Sequence, residues 1–95
     1  MLGEEVHMAR YMIESPHKPE ECLKVLDEDL AKGILDKFEF GCKAGDHTGY
    51  ALVDANTRND ALNKYVPNFI QEKARIVEVG KFTPEMIKSF HSKAA

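Results

Sequence analysis

The chain of 95 residues has no tryptophan, only two cysteines and no uninterrupted apolar run longer than four residues. A membrane-spanning helix needs about 20 apolar residues, so we expect no transmembrane segment. Two cysteines are too few for the disulfide framework of a small secreted domain. The acidic start Met1-Leu2-Gly3-Glu4-Glu5 also lacks the basic region of a signal peptide. The sequence therefore predicts a cytoplasmic protein with free thiols that does not associate with membranes.

Several familiar motifs are also missing. The chain has no phosphate-binding loop, no dinucleotide fingerprint and no zinc-finger spacing. The sequence motifs therefore do not identify a cofactor. A composition of 43% hydrophobic and 31% charged residues is that of an ordinary globular protein. Because no linker, repeat or low-complexity segment interrupts it, we expect a single domain over residues 1–95.

Hydrophobic periodicity predicts four strands and three helices in the order βαββαβα. The strands are predicted at Val6 to Ile13, Leu35 to Cys42, Thr48 to Ala55 and Ala74 to Phe82. The first helix begins at Pro19, ends at Gly33, and has Leu23, Leu26 and Leu30 as its apolar stripe. The second helix follows a capping box at Thr57 and Asp60 and ends near Pro67, and the short C-terminal helix begins at Thr83-Pro84.

This order is that of the ferredoxin-like α+β fold, in which two helices cover one face of a four-stranded antiparallel sheet. The residues expected on the helix-covered face are Ala9, Tyr11, Ile13, Phe38, Phe40, Ala51, Val53, Val77 and Val79. Those expected on the open face are Met8, Arg10, Met12, Glu39, Tyr50, Leu52, Asp54, Ile76, Glu78 and Phe82. The open face is too apolar to leave in water, which predicts a homodimer packed sheet to sheet. A solvated face with scattered hydrophobic residues is the alternative.

The element order and the segments Tyr11 to Cys22 and Gly41 to Ala55 (GCKAGDHTGYALVDA) resemble the superfamily of small dimeric α/β-barrel proteins. That superfamily includes muconolactone isomerase-like enzymes and small monooxygenases, and the similarity extends more distantly to its nickel-binding branch. The resemblance implies a dimeric α/β barrel, and isomerase or monooxygenase-like chemistry. Unlike a dedicated nickel binder, this chain has no cluster of several histidines.

Topology predicts that four distant side chains meet at one end of the sheet: His17, Cys22, Cys42 and His47. The first strand ends there, the first helix begins there, and the hairpin between the second and third strands turns there. Imidazole and thiolate ligands suit zinc, nickel or copper, so these four residues are the candidate metal ligands. In a second interpretation His47 is a catalytic base oriented by Asp46 or Glu21. The structural alternative makes the cysteines small buried hydrophobes and the histidines surface residues.

Arg10 lies mid-strand on the expected open face, where its guanidinium needs a partner such as Asp54, Glu39 or Glu78. Arg10 and Tyr50 inside the barrel, with His17 at the rim, are the candidate contacts of a small organic ligand. A structural ion pair at the dimer seam is the alternative for Arg10.

The βαββαβ order is also that of the RNA-recognition motif, and the segment TGYALVDA partly matches its third strand. Leu52 replaces a stacking aromatic residue, Thr48 replaces a basic one, and the net charge of -3 opposes phosphate binding. We therefore expect no nucleic-acid partner. Three hypotheses follow: a homodimer that binds a small organic molecule, a transition-metal-binding or metal-responsive protein, and an accessory or structural dimer without a ligand.

Overall fold

The computed structural model describes residues 8–94, which form one four-stranded antiparallel sheet with helices. The strands are β1 (Ala9–Pro16), β2 (Phe38–Phe40), β3 (Thr48–Ala55) and β4 (Arg75–Val79). The helices are α1 (Cys22–Lys32), α2 (Arg58–Tyr65) and α3 (Pro84–Ala94). The strand order β2-β3-β1-β4 confirms the ferredoxin-like α+β prediction. Within the described range, no helix has the length and apolar character needed to cross a membrane.

The core lies between the sheet and the first two helices. Tyr11 and Ile13 of β1 and Ala51 and Val53 of β3 are buried, as the alternation of these strands predicts. The helical side of this core includes Val25, Ala61, Tyr65 and Val66. The prediction for β3 is confirmed at both ends.

The first strand begins and ends three residues later than predicted. Its last two residues, Ser15 and Pro16, lie beyond the predicted end and pair with Gly49 and Thr48 of β3. Proline is tolerated at a strand end, where its missing N–H costs little hydrogen bonding. Val6 and His7, the first two residues of the predicted strand, lie outside the described range. β2 is shorter than predicted, because short 3-10 turns occupy Leu35–Lys37 and Cys42–Ala44.

The predicted apolar stripe of α1 is wrong at two of its three leucines, because Leu26 alone is half-buried. Leu23 and Leu30 are exposed, whereas Val25 and Asp29 are buried. The inward residues are thus Cys22, Val25 and Asp29, which share a face at helical spacing. The predicted end of this helix at Gly33 is confirmed, because Gly33 follows the last helical residue and adopts a left-handed φ of 75°.

The predicted faces of β4 are reversed. Ile76 is buried and pairs with Ile13, while Val77 is exposed and pairs with Met12. Val79 pairs with Arg10 on the open face, and Glu78 pairs with Tyr11 on the helix-covered side. Glu78 is therefore not a partner for Arg10. β4 has only five residues. The alternation of polar and apolar side chains in so short a strand does not identify which face is buried.

With Val77 on the open face, that face has a central apolar row. Leu52, Met12 and Val77 are paired side by side across β3, β1 and β4. On one side of this row lie Tyr50, Glu14 and Arg75, with an Arg75 Nη1 to Glu14 Oε2 distance of 3.8 Å. On the other side lie Asp54, Arg10 and Val79. Arg10 therefore has Asp54 as its cross-strand neighbour.

Candidate metal centre

Four elements begin or end at one rim of the sheet, and each places a cysteine or histidine there. His17 directly follows β1, and its backbone N–H donates to the His47 carbonyl at 2.9 Å, which extends the β1–β3 ladder by one pair. Cys22 is the first residue of α1, and Cys42 begins the 3-10 turn that follows β2. The predicted meeting of these four side chains is what the structure shows.

The four potential ligand atoms form a compact group in which every pair lies within 4.8 Å. The two sulfur atoms, Cys22 Sγ and Cys42 Sγ, are 3.6 Å apart. Cys22 Sγ lies 3.0 Å from His47 Nδ1, and Cys42 Sγ lies 3.7 Å from His17 Nε2. Each thiol is thus paired with one imidazole nitrogen, and all four residues are partly exposed.

These separations are close to those of a tetrahedral zinc site. With Zn–S bonds of about 2.3 Å, two sulfur atoms on one tetrahedral ion are about 3.8 Å apart. With Zn–N bonds of about 2.1 Å, the corresponding sulfur to nitrogen distance is about 3.6 Å. Cys22 and His47 would move slightly apart around an ion, whereas the Cys22–Cys42 and Cys42–His17 distances need little change. Pairs near the 4.8 Å limit of the group would need to approach by about 1 Å to share one tetrahedral ion.

The ring of His17 is oriented by the backbone. Its Nδ1 lies 3.3 Å from the Ser15 carbonyl oxygen, so the Nδ1–H tautomer donates there. The Nε2 lone pair then faces the Cys42 sulfur. Histidine ligands commonly donate their second nitrogen to a carbonyl in this way, which fixes the tautomer and ring orientation. Sequence reasoning did not find this contact, because a backbone acceptor leaves no residue-type signal.

The loop that carries Cys42 and His47 is closed by the backbone around Gly41. The N–H of Asp46 donates to the Gly41 carbonyl at 2.9 Å, and the N–H of Gly45 donates to the Cys42 carbonyl at 3.0 Å. Gly45 adopts a left-handed φ of 87°, which favours glycine. A Cβ atom added to Gly41 would lie 2.8 Å from the Asp46 carbonyl oxygen. A glycine at this position therefore lets the loop fold tightly enough to bring both ligands to the rim.

Without a metal, the surroundings of Cys22 favour the protonated thiol over the thiolate. Burial raises the pKa of Cys22, and the hydrogen bond and charge of Cys42 raise it further. Although a helix N-terminus favours an anion, the second thiol and the loss of solvent oppose it here. A bound cation would reverse this balance, since metal binding displaces thiol protons.

Neither carboxylate predicted to orient His47 makes that contact. Asp46 accepts a hydrogen bond from the Tyr50 hydroxyl, which, with a hydrogen bond from Thr48, lowers the pKa of Asp46. The same hydrogen bond and partial burial raise the pKa of Tyr50. Glu21 accepts from the Lys18 backbone N–H at 2.9 Å. Among the described residues, the His47 side chain makes its hydrogen bond with Cys22, which favours a metal or thiol role over an oriented catalytic base.

The predicted organic-ligand contacts lie at separate positions along the sheet of a single chain. Arg10 pairs with Asp54, whereas Tyr50 pairs with Glu14 four positions further along β1, a separation of about 13 Å at about 3.3 Å per residue. Tyr50 is instead tied to Asp46 beside the rim. Of the three predicted contacts, only His17 lines a cavity that adjoins the cysteine and histidine cluster.

That cavity has a volume of about 420 Å³ and opens between the end of β1 and the segment before β4. It is lined by Pro16, His17, Lys18, Glu21, Phe69, Ile70, Glu72 and Lys73. Glu21, which was considered as a partner for His47, lies in the wall of this cavity together with Glu72. Phe69 and Lys73 were not anticipated, because the six-residue 3-10 segment Asn68–Lys73 has no clear periodicity.

The chain was compared with known proteins. No family model, curated protein or solved structure matches it. The resemblance to the dimeric α/β-barrel superfamily therefore stays a prediction, and the site must be interpreted from its own geometry.

Proposed function

We propose that the protein binds one transition-metal ion, with Zn²⁺ as the best fit, through Cys22 Sγ, Cys42 Sγ, His17 Nε2 and His47 Nδ1. The observation that carries the proposal is the convergence of two sulfur and two imidazole nitrogen atoms within 4.8 Å. Two thiolates and two imidazoles in tetrahedral array are a characteristic zinc donor set. The hydrogen bond from His17 to the Ser15 carbonyl supports the same assignment.

The donor set favours metal holding or metal sensing over metal catalysis. Four protein ligands complete a tetrahedral zinc site and leave no open position for substrate or water. The four ligands come from the residue after β1, the start of α1 and the two ends of the β2–β3 loop, so a bound ion connects segments far apart in sequence. Because all four are partly exposed, an ion can enter and leave without unfolding of the core. These features fit a metal-responsive protein.

The test is metal stoichiometry combined with Co²⁺ spectroscopy. The reduced protein is stripped with a chelator, loaded with Zn²⁺ or Co²⁺, and weighed by native mass spectrometry. We expect one ion per chain, and for Co²⁺ the intense visible bands of tetrahedral coordination with thiolate-to-metal charge transfer. Octahedral Co²⁺ bands without charge transfer, or no retained ion, would contradict the proposal.

Two single variants separate this site from adventitious binding. His47→Ala removes one proposed ligand, whereas His91→Ala removes an exposed histidine of α3 that is not one of the four clustered residues. We expect the first to lose at least about tenfold in zinc affinity and the second to bind like the unmodified protein. Equal losses would point to non-specific binding by histidine.

A small organic ligand is a second candidate function, which the cavity beside His17 favours. Its volume of about 420 Å³ falls in the range of small-molecule sites. Phe69 offers an apolar wall, and Lys18, Lys73, Glu21 and Glu72 offer charges of both signs. Native mass spectrometry of freshly purified protein tests this function, because a retained organic molecule adds mass that a chelator does not remove. A freshly purified protein without such mass would count against it.

The homodimer through the open sheet face also stays part of the proposal. The central row of Leu52, Met12 and Val77 is flanked by two rows that each carry both a positive and a negative side chain. A copy rotated about a two-fold axis would therefore place apolar side chains together and opposite charges within reach.

A further inference from the structure

The two cysteines of the rim cluster are the only cysteines in the chain, and they are neighbours. Their sulfur atoms are 3.6 Å apart, although 20 positions separate them in sequence. A disulfide bond is about 2.05 Å long, so bond formation needs an approach of about 1.5 Å. Both side chains are partly exposed, which lets a small oxidant reach them.

We propose that oxidation by peroxide closes Cys22 and Cys42 into an intramolecular disulfide and thereby releases the bound metal. The metal half of this inference rests on the proposed function, because the same two sulfur atoms are two of the four proposed ligands. A disulfide sulfur has no negative charge and is a poor zinc ligand compared with a thiolate. The two remaining imidazoles, His17 and His47, leave the ion with half of its protein donors.

The reaction balances with hydrogen peroxide as the oxidant. One cysteine sulfur attacks a peroxide oxygen, the O–O bond breaks, and the products are a sulfenic acid and water, which takes up the thiol proton. The second sulfur attacks the sulfenic sulfur, the S–O bond breaks, and the oxygen leaves as water with the second thiol proton. Two thiols lose two electrons in total, and one peroxide is reduced to two water molecules.

Position supports an intramolecular reaction over one between chains. Cys22 is fixed at the start of α1 and Cys42 in the 3-10 turn after β2, so each sulfur has its reaction partner already beside it. Such proximity replaces a bimolecular encounter by a unimolecular step. A sulfenic acid formed on either cysteine is therefore captured before a second peroxide oxidises it further.

The experiment treats metal-free, reduced protein with equimolar hydrogen peroxide, then counts free thiols and maps tryptic peptides under denaturing conditions. Trypsin places Cys22 in the peptide 11–24 and Cys42 in the peptide 38–43, because Lys18 precedes a proline and is not cleaved. We expect loss of both thiols, a covalent link between these two peptides in a protein of single-chain mass, and full reversal by a dithiol reductant. Unreacted thiols, sulfinic or sulfonic products, or links between two chains would overturn the inference.

A parallel arm uses zinc-loaded protein and a chromogenic zinc indicator. We expect one zinc released for each disulfide formed, and slower oxidation as added zinc lowers the metal-free fraction. The variant His17→Ala keeps both cysteines but lacks one ligand, so it should form the disulfide with much less protection by zinc. A disulfide-bonded protein that retains its zinc would overturn the metal-release half.

The two proposals fail in different ways. Reduced protein that binds no zinc would overturn both the proposed function and the metal-release half, while linked peptides would still establish the disulfide. Bound zinc together with unlinked cysteines would leave the proposed function standing and overturn the inference.

Discussion

Asp29 is a buried carboxylate, only 1% exposed, on the inward face of α1. Its Oδ1 has no hydrogen-bond partner among the described residues. Burial raises the pKa of Asp29 to about 6, while Lys32 lowers it and Glu28 raises it by smaller amounts. Since the ordinary value is 3.8, the folded protein binds this proton more tightly than the unfolded chain does. The contribution of Asp29 to stability is therefore lost as the pH rises from about 4 through about 6.

The variant Asp29→Asn tests this linkage. It removes the charge at similar size, so we expect it to be more stable than the unmodified protein near pH 7.5, by about 1 to 3 kcal/mol, and by only about a third of that amount near pH 4.5. Urea unfolding at both pH values measures the difference. The exposed Asp27→Asn on the same helix is the control and should change little at either pH. A stability difference for Asp29→Asn that does not depend on pH would contradict the burial argument.

Gly41 can be tested by adding one methyl group. The variant Gly41→Ala keeps an allowed φ of -88° but places Cβ against the Asp46 backbone oxygen. The loop must then open, so we expect zinc affinity to fall about tenfold or more with the fold retained. Zinc titration monitored by an indicator measures the change.

Gly80→Ala serves as the matched control, because a Cβ there meets no heavy atom within 4 Å. Unchanged zinc affinity in a folded Gly41→Ala protein would show that loop closure does not position the ligands.

The identities of the four clustered side chains could be predicted from sequence, but their surroundings could not. His17, Cys22, Cys42 and His47 follow from topology, which fixes the rim at which each segment ends. The Ser15 carbonyl that orients His17 and the hydrogen bond between Tyr50 and Asp46 depend on local backbone geometry and rotamers, which leave no periodic signal. The role of Gly41 in loop closure likewise becomes visible only when its distance to Asp46 is known.

At the scale of elements, the buried face was predicted correctly where one face is clearly apolar. It was predicted wrongly where two different faces of the same element carry apolar residues. Thr48–Ala55 alternates over eight residues and was assigned correctly. In α1, the leucines at positions 23, 26 and 30 suggested one phase, but the observed phase buries Asp29 and leaves Leu23 and Leu30 exposed. A buried carboxylate runs against the usual cost of burying charge, so hydrophobic pattern alone could not select this phase.

Two threonine caps allow a comparison between a packed helix and an exposed one. Thr57 Oγ1 accepts from the Asp60 N–H at 3.0 Å at the start of α2, and Thr83 Oγ1 accepts from the Met86 N–H at 3.1 Å at the start of α3. Because α2 buries Ala61 and Tyr65 in the core, Thr57→Ala should destabilise the whole protein by about 1 kcal/mol.

The residues of α3 from Pro84 to Ser92 are exposed, so Thr83→Ala should fray that helix with little effect on global unfolding. Thermal unfolding of both variants distinguishes the cases. Equal destabilisation would indicate that α3 is packed in solution, for instance against a second copy.

At the scale of the whole molecule, two apolar surfaces are exposed among residues 8–94. One is the open sheet face, where Leu52 is 45% and Val77 is 39% exposed. The other is α3 with Phe82, where Met86, Ile87 and Phe90 are also exposed. The sheet order and the existence of an apolar open face were predicted from the sequence. That Val77 completes a continuous row with Met12 and Leu52 is known only from the observed register of β4.

The variant Leu52→Asp tests whether the open face joins two copies. In an isolated chain the new carboxylate stays in water, so the fold should be retained, whereas in a dimer it would be buried in the apolar row at a cost of several kcal/mol. We expect light scattering at micromolar concentration to give a dimer for the unmodified protein and a monomer for Leu52→Asp. Leu23→Asp is the matched control, because Leu23 is even more exposed but lies on α1. A dimer mass that Leu52→Asp leaves unchanged while Leu23→Asp abolishes would move the interface to the helical side of the sheet.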